Sequence, residues 1–183
     1  MSDTDPVLKA LQDDLDEGFA EMYAAHRATV FSVALRLGGS WADAEDHTAE
    51  TFLRAYRALT GYDRERLAAL QPRAWLLTIL MNIWRNWVRS RVRNPPPDLR
   101  DEPVDGVCRR ADVEAAAELR ETGDELAGLL GRLPEEQRAA VVLRHVVDLP
   151  VAEIATVLKI PQGTVKSHVS RGLRRLRTLG GAR

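Results

Sequence analysis

Three consecutive prolines, Pro95, Pro96 and Pro97, interrupt a chain whose apolar residues otherwise recur at helical spacing. Proline fixes φ and lacks the amide hydrogen that a helix interior needs, so no helix runs through "NPPPDLRDEPVDG" (94–106). Acidic residues and Gly106 follow, and none of them offers a face to bury. The chain is therefore expected to fold as two bodies, 1–93 and 112–183, with 94–111 as a flexible linker. Its 183 residues suit one ordinary domain or two small ones. Strand-like alternation and internal repeats are absent, which makes the fold class all-α.

In the first body, Phe19, Met22, Tyr23, His26, Val30, Val33, Ala34 and Leu37 form one apolar stripe, closed by "GGS" (38–40). Ser40 with Asp43 reads as a capping box opening a helix to about Leu59. "TGYDRERLAALQ" (60–71) is a connection with room for one short turn, and Pro72 suits the first position of a long helix to about Arg93. Beyond the linker, helical patterning resumes near Asp112 and weakens at Gly123. Pro134 with Glu135 and Glu136 marks another start, because acids favour the positive end of the helix dipole.

The net charge of −1 conceals segregation. Residues 1–50 carry 11 acidic and 3 basic side chains, whereas 51–93 carry 2 and 9. Residues 94–135 carry 11 and 5, and 136–183 carry 3 and 9. Polyanion binding needs a basic face rather than a basic average, and two such blocks are present. The acidic blocks between them are candidates to restrain the basic faces through salt-sensitive contacts between domains. Cys108 is the only cysteine, so the chain holds neither a disulfide framework nor a Cys-rich zinc site. No apolar run approaches the ~20 residues of a membrane helix, and no signal-peptide pattern opens the chain. Cytoplasmic residence without membrane insertion is the expectation.

The last basic block has internal design. Val151, Ile154, Ala155 and Leu158 follow i, i+3, i+4, i+7, with Pro150 at the entrance and "KIPQG" (159–163) as the break. Val165, Val169, Leu173 and Leu176 then make the buried stripe of a second helix. Gly172 lies on that stripe, where a missing side chain permits close approach of another helix. Ser167, Arg171 and Arg174 lie opposite, Thr164 and Arg175 beside them, and Lys166 and His168 on the flanks. This is a helix-turn-helix with a basic outer face, suited to the major groove, where Arg and Lys donate to guanine and Ser or Thr reach phosphate or base edges. The amides near Gly163 and Thr164 are further candidates for holding a phosphate.

"LPEEQRAAVVLRHVVDLPVAEIATVLKIPQGTVKSHVSRGLRRLR" (133–177) resembles region four of bacterial RNA polymerase sigma factors of the extracytoplasmic-function (ECF) type. "LPEEQR", "EIA" and "GTVKS" carry the resemblance. It implies that Thr164, Lys166, Ser167, His168, Arg171, Arg174 and Arg175 read the upstream (−35) promoter element.

The first body then resembles sigma region two. "WADAEDHTAETFLRAYRAL" (41–59) is similar to the helix with which the family grips core RNA polymerase, and here Asp43, Asp46, Ala49, Glu50 and Leu53 are the implied contacts. Ala49 stands where glutamine is common, and His47–Thr48 replaces aliphatic residues. On the helical wheel Trp41, Ala44, Thr48, Phe52, Ala55 and Leu59 face inward, Asp43, Asp46, Glu50, Arg54 and Arg57 outward, and Leu53 sits at the outer edge.

"WLLTILMNIWRNWVRSRVR" (75–93) forms the other basic block. Trp75, Leu76, Ile79, Leu80, Ile83 and Trp87 give the core stripe, and Asn82, Asn86, Arg89 and Arg93 run along one edge. Met81 and Arg85 lie further round, with Trp84 on the other flank. Amide and basic groups near aromatics suit unpaired DNA, because stacking tolerates any base. The stretch resembles sigma regions 2.3 and 2.4, which implies that Asn82, Trp84, Arg85, Asn86, Arg89 and Arg93 melt and capture the downstream (−10) element. The family also captures an extruded base with the preceding loop, here within "YDRERLAALQP" (62–72).

An 18-residue linker, at about 3.1 Å per residue, reaches roughly 55 Å. That spans about 16 base pairs, enough for two modules to touch separate elements of one duplex. The resemblance implies a non-enzymatic polymerase subunit with no cofactor. Its implied partners are core RNA polymerase and promoter DNA, with an anti-sigma factor as a further candidate. Two rival readings come from other classes. One is a stand-alone helix-turn-helix regulator, in which the Trp/Asn/Arg helix would serve dimerisation or sensing. The other is a helical metal enzyme on Asp43, His47 and Glu50, which share a helical face but lack a matching ligand pair on a second helix.

Overall fold

A computed structural model describes residues 6–38, 40–93 and 126–180, and every regular element among them is a helix. The first group comprises α1 (Pro6–Asp13), α2 (Leu15–Gly38), α3 (Trp41–Leu59), α4 (Arg64–Ala68) and α5 (Pro72–Arg93). The second comprises a helical stretch over 126–131 (α6), α7 (Glu135–His145), α8 (Val151–Leu158) and α9 (Gln162–Gly180). The expected boundary at 94–111, the helix near Asp112 and Cys108 all lie outside the described residues.

Local chemistry accounts for most helix limits. Ser40 is extended (φ −123°, ψ 148°), and its Oγ accepts from the Asp43 amide at 3.1 Å while donating to Asp43 Oδ2 at 2.5 Å. That exchange starts α3 as the capping pattern predicts. Asp63 caps α4 in the same way, accepting from Arg66 N at 2.8 Å. Pro72 opens α5, where a missing amide hydrogen costs nothing. At the far end of α8, Lys159 turns left-handed (φ 56°), and Ile160 N donates back to Ala155 O at 3.1 Å. Lys159 N reaches Thr156 O at 3.3 Å, completing a Schellman stop on a residue with a Cβ.

α2 and α5 supply the centre of the first group. Met22, Val33 and Leu37 of α2 and Leu76, Leu77 and Leu80 of α5 are wholly inaccessible to solvent. Phe19 packs edge-on against Phe52 and Tyr56, with ring centroids 6.3 and 5.0 Å away, and so fastens α2 to α3. Tyr23, expected on the buried stripe, instead lies at its margin. It is 42% exposed, with one edge against Phe52 at 4.7 Å. α1 crosses the start of α2 at Gly18, where any side chain would run into the backbone of Ala10 and Leu11.

In the second group α7 is the hub. Ala140, Val142 and Leu143 are fully buried, and α9 lies across α7 at Gly172. A Cβ at Gly172 would stand 2.6 Å from Val141 Cγ2 and 3.4 Å from Gln137 O, so the expected close approach is real. The two groups also touch: α5 packs on α8, and α2 on α7.

Two substitutions test these contacts. Gly172→Ala should destabilise the chain by about 1–3 kcal/mol through overpacking, read as a lower denaturant midpoint. Lys159→Gly should stabilise it by about 1 kcal/mol, because glycine adopts the left-handed stop without a Cβ penalty.

Candidate nucleic-acid interface

The helix-turn-helix forms through α8 and α9, and docking on α7 turns one face of α9 outward. Val165 and Gly172 are buried, and Val169, Leu173 and Leu176 pack around them. Lys166, Ser167, Arg171, Arg174 and Arg175 are exposed, and Thr164 is half-buried at the start of the helix. Ser167 Oγ returns to Gly163 O at 3.0 Å, which holds its hydroxyl along the helix.

Two expectations for this helix need correction. His168 does not stand on the open face: it turns toward α7, with Nε2 3.6 Å from Glu136 Oε2 and only 14% of its side chain exposed. Its flanking position on the wheel is the reason, since α7 covers that flank. The Thr164 amide is not available to a phosphate either, because it donates to Pro161 O at 2.9 Å in the tight first turn.

On α5, Asn82, Asn86, Arg89 and Arg93 line one exposed edge, in the order the spacing predicts. Arg89 Nη2 donates to Asn86 Oδ1 at 2.6 Å and Arg89 Nε to Arg85 O at 3.2 Å, so Asn86 and Arg89 are held together on this edge. Trp84 differs from expectation. It is 1% exposed, with the Arg138 guanidinium 5.9 Å from its ring centre, because the second helix group covers that flank of α5. Met81 is closed off as well, and Arg85 is half-buried with Nη2 on Leu158 O at 3.1 Å. Trp75 and Trp87, expected in the core, are half-buried against Tyr62 and His47 respectively.

The outer face of α3 presents Asp46, Ala49, Leu53 and Arg54 to solvent, and Leu53 is 43% exposed. Sequence reasoning did not connect Tyr23 with α3, although its ring, half exposed, packs edge-on against the buried Phe52 of that helix. Glu50 pairs with Arg54 at 2.6 Å, while Asp43 serves the cap and lies 3.9 Å from Arg91. His47 points inward, 5% exposed and edge-on to Trp87 at 5.4 Å. Asp43, His47 and Glu50 thus serve three separate contacts and do not converge. No cluster of three potential metal ligands occurs among the described residues, and no described helix is long and apolar enough to cross a membrane.

Comparison with known proteins covers both helix groups. Residues 22–94 match the family model for Sigma-70 region 2, and 123–176 match that for Sigma-70, region 4. ECF RNA polymerase sigma factor SigL of Mycobacterium tuberculosis is 35% identical over 159 residues, 85% of this chain and 85% of its own. ECF RNA polymerase sigma factor SigE of Mycolicibacterium smegmatis is 34% identical over 160 residues, 86% of this chain. The match spans 59% of that relative's length. Among solved structures, CnrH in complex with the cytosolic domain of CnrY shares the fold with a TM-score of 0.71. Its sequence identity is 24%, and the match covers 96% of each chain.

His47 carries a pH prediction. Burial holds its imidazole below the ordinary 6.5, against the opposing pull of Asp43 and Asp46. The unfolded chain therefore takes up a proton that the folded chain refuses as pH falls below 6.5, so stability is full above that value and lost on acidification. Melting curves from about pH 8 to pH 5 should show that loss in the wild type and a smaller one in His47→Leu.

Proposed function

The chain belongs to the ECF RNA polymerase sigma factors, and we propose on that basis that it directs core RNA polymerase to a small set of promoters as a non-enzymatic specificity subunit. The observation that carries this reading is the pairing of two basic helices of different character on one chain. α9 offers Lys166, Ser167, Arg171, Arg174 and Arg175 on a firmly docked helix, which suits the edges of paired bases in a major groove. α5 offers a row of amides and guanidinium groups, Asn82, Asn86, Arg89 and Arg93, which suits a backbone and bases already unpaired.

In this reading α9 reads the −35 element and α5 melts and holds the −10 element, Trp84 and Arg85 joining once they are uncovered. The outer face of α3 around Asp46, Ala49, Glu50 and Leu53, with Asp43 at its start, docks on polymerase. Residues 1–93 and 112–183 act as separate modules, with 94–111 as the tether between them. The protein works in the cytoplasm beside the transcription machinery and needs no cofactor. In this reading an anti-sigma factor is a further partner of this chain, a reading supported by CnrH having been solved in complex with the cytosolic domain of another protein, CnrY.

Run-off transcription with core polymerase, this chain and a library of genomic fragments tests the proposal. Discrete start sites that depend on the chain are expected. Failure to associate with core enzyme, or tight binding to a palindromic duplex without it, would overturn the reading in favour of a stand-alone regulator. Arg171→Ala and Arg174→Ala should each lower initiation about tenfold at promoters that depend on the −35 element while leaving core association unchanged. Leu53→Asp should have the opposite pattern: core association falls, and α9 keeps its affinity for duplex.

A further inference from the structure

The core stripe of α5 ends on a cation. At about 100° per residue, Leu80, Trp87 and Arg91 stand close to one line along the helix, and Asn82, Asn86, Arg89 and Arg93 stand on the opposite side. Leu80 is fully buried, Trp87 half-buried and Arg91 exposed, so the buried surface runs out as the helix proceeds. From Arg89 to Arg93 every residue is exposed. That last turn carries two of the groups on the amide and guanidinium edge, yet it buries no apolar side chain that could fix it. A helix end of this kind frays readily unless something ties it down.

Arg91 supplies a tie to α3. Its guanidinium lies over the Trp87 ring, 4.6 Å from the ring centre, and Nη1 stands 3.9 Å from Asp43 Oδ2 in the first turn of α3. Trp87 in turn meets the edge of His47, with 5.4 Å between ring centres at 90°. Asp43 Oδ2 is itself held by Ser40 Oγ at 2.5 Å. Hydroxyl, carboxylate, guanidinium, indole and imidazole thus join the first two turns of α3 to the last two of α5. The bonds of Arg89 to Asn86 and Arg85 stay within α5 and add nothing to this tie. A half-exposed ion pair is weak by itself, but a flat guanidinium can stack on an indole and face a carboxylate together.

We infer that Arg91 is a positioning residue for the captured strand. It anchors the last turn of α5 to the start of α3, so that Arg89 and Arg93 meet unpaired DNA from a fixed direction. Arg91 acts through those neighbours and does not itself touch the strand, which lies on the far side of the helix. The inference rests on the reading of α5 given under Proposed function. It also joins two surfaces that the reading keeps apart, since α3 carries the face that docks on polymerase. The start of the docking helix thereby sets the direction in which DNA is held.

The test uses the full chain and two readouts, hydrogen exchange at the amides of residues 90–93 and binding of a fluorescent oligodeoxythymidylate. Arg91→Ala should lower protection of that turn by roughly tenfold, the joint effect of one ion pair and one cation–π contact. Oligonucleotide binding should weaken by roughly threefold, because fewer molecules present an ordered edge. Losing the Arg91 charge would also weaken binding, so Asp43→Asn separates the two causes. That variant removes a negative charge, and charge alone would tighten binding. Loss of the anchor should weaken it instead. The double variant should protect the turn no less than Arg91→Ala alone, as one shared contact requires. Unchanged exchange in Arg91→Ala would overturn the anchor. Unchanged or tighter oligonucleotide binding in Asp43→Asn would overturn the positioning role. Exchange reports the anchor whether or not the chain binds single strands, so failure of the reading of α5 shows separately, as a wild-type chain without affinity for the oligonucleotide.

Discussion

An α-helix leaves its last carbonyls and first amides without partners of its own, and a chain whose regular elements are all helices among the described residues meets that requirement at every junction. The structure answers it in three ways. Ser40 and Asp63 supply side-chain oxygens to the starts of α3 and α4. Lys159 bends the chain left-handed, so that following amides return to the end of α8. Arg85 and Arg138 reach from one helix group to the ends of helices in the other. The first two solutions are local and fix where helices stop. The third is tertiary, and it decides how the groups sit together.

Because the linking contacts are hydrogen bonds to carbonyls, they differ from the charge attraction that the alternating acidic and basic blocks suggest. The ion pairs Arg54–Glu50, Arg91–Asp43 and Arg144–Asp148 each stay within one group. Arg138 is held partly out of water, which lowers its pKa from the ordinary arginine value against the pull of Glu135; at neutral pH it remains charged. A half-buried guanidinium with good carbonyl acceptors is hard to replace with lysine, whose single nitrogen cannot reach three oxygens in a fork.

Much of this was legible in the sequence where the cause is local. The Ser40–Asp43 cap, Pro72 at the head of α5 and the small residue at Gly172 each depend on a few neighbouring side chains and stand as read. The break read at 159–163 is shortened to 159–161, because Gln162 and Gly163 already open α9. Other features depend on partners far along the chain. Trp84 looks like a flank residue on its own helix and becomes buried only because the second helix group, more than fifty residues later, covers it, with α8 packed on α5 and Arg138 reaching over the ring. α1 escaped the reading because its short apolar pattern gains meaning only from docking at Gly18. The left-handed turn sits on Lys159, where glycine or asparagine would have announced it. His168 shows the resolution of a helical wheel: a flank residue falls on the open or the covered side according to the neighbour's tilt.

The junction at Gly172 has a consequence for engineering. α9 is seated by Val165, Gly172 and the apolar residues around them, while the residues it shows to solvent take no part in that seating. Docking and display are therefore written in separate sets of positions on a single helix. The outer set can be randomised and selected against new duplex targets without repacking α7, provided residue 172 keeps no side chain. The helix is in effect a replaceable reading head on a fixed mount.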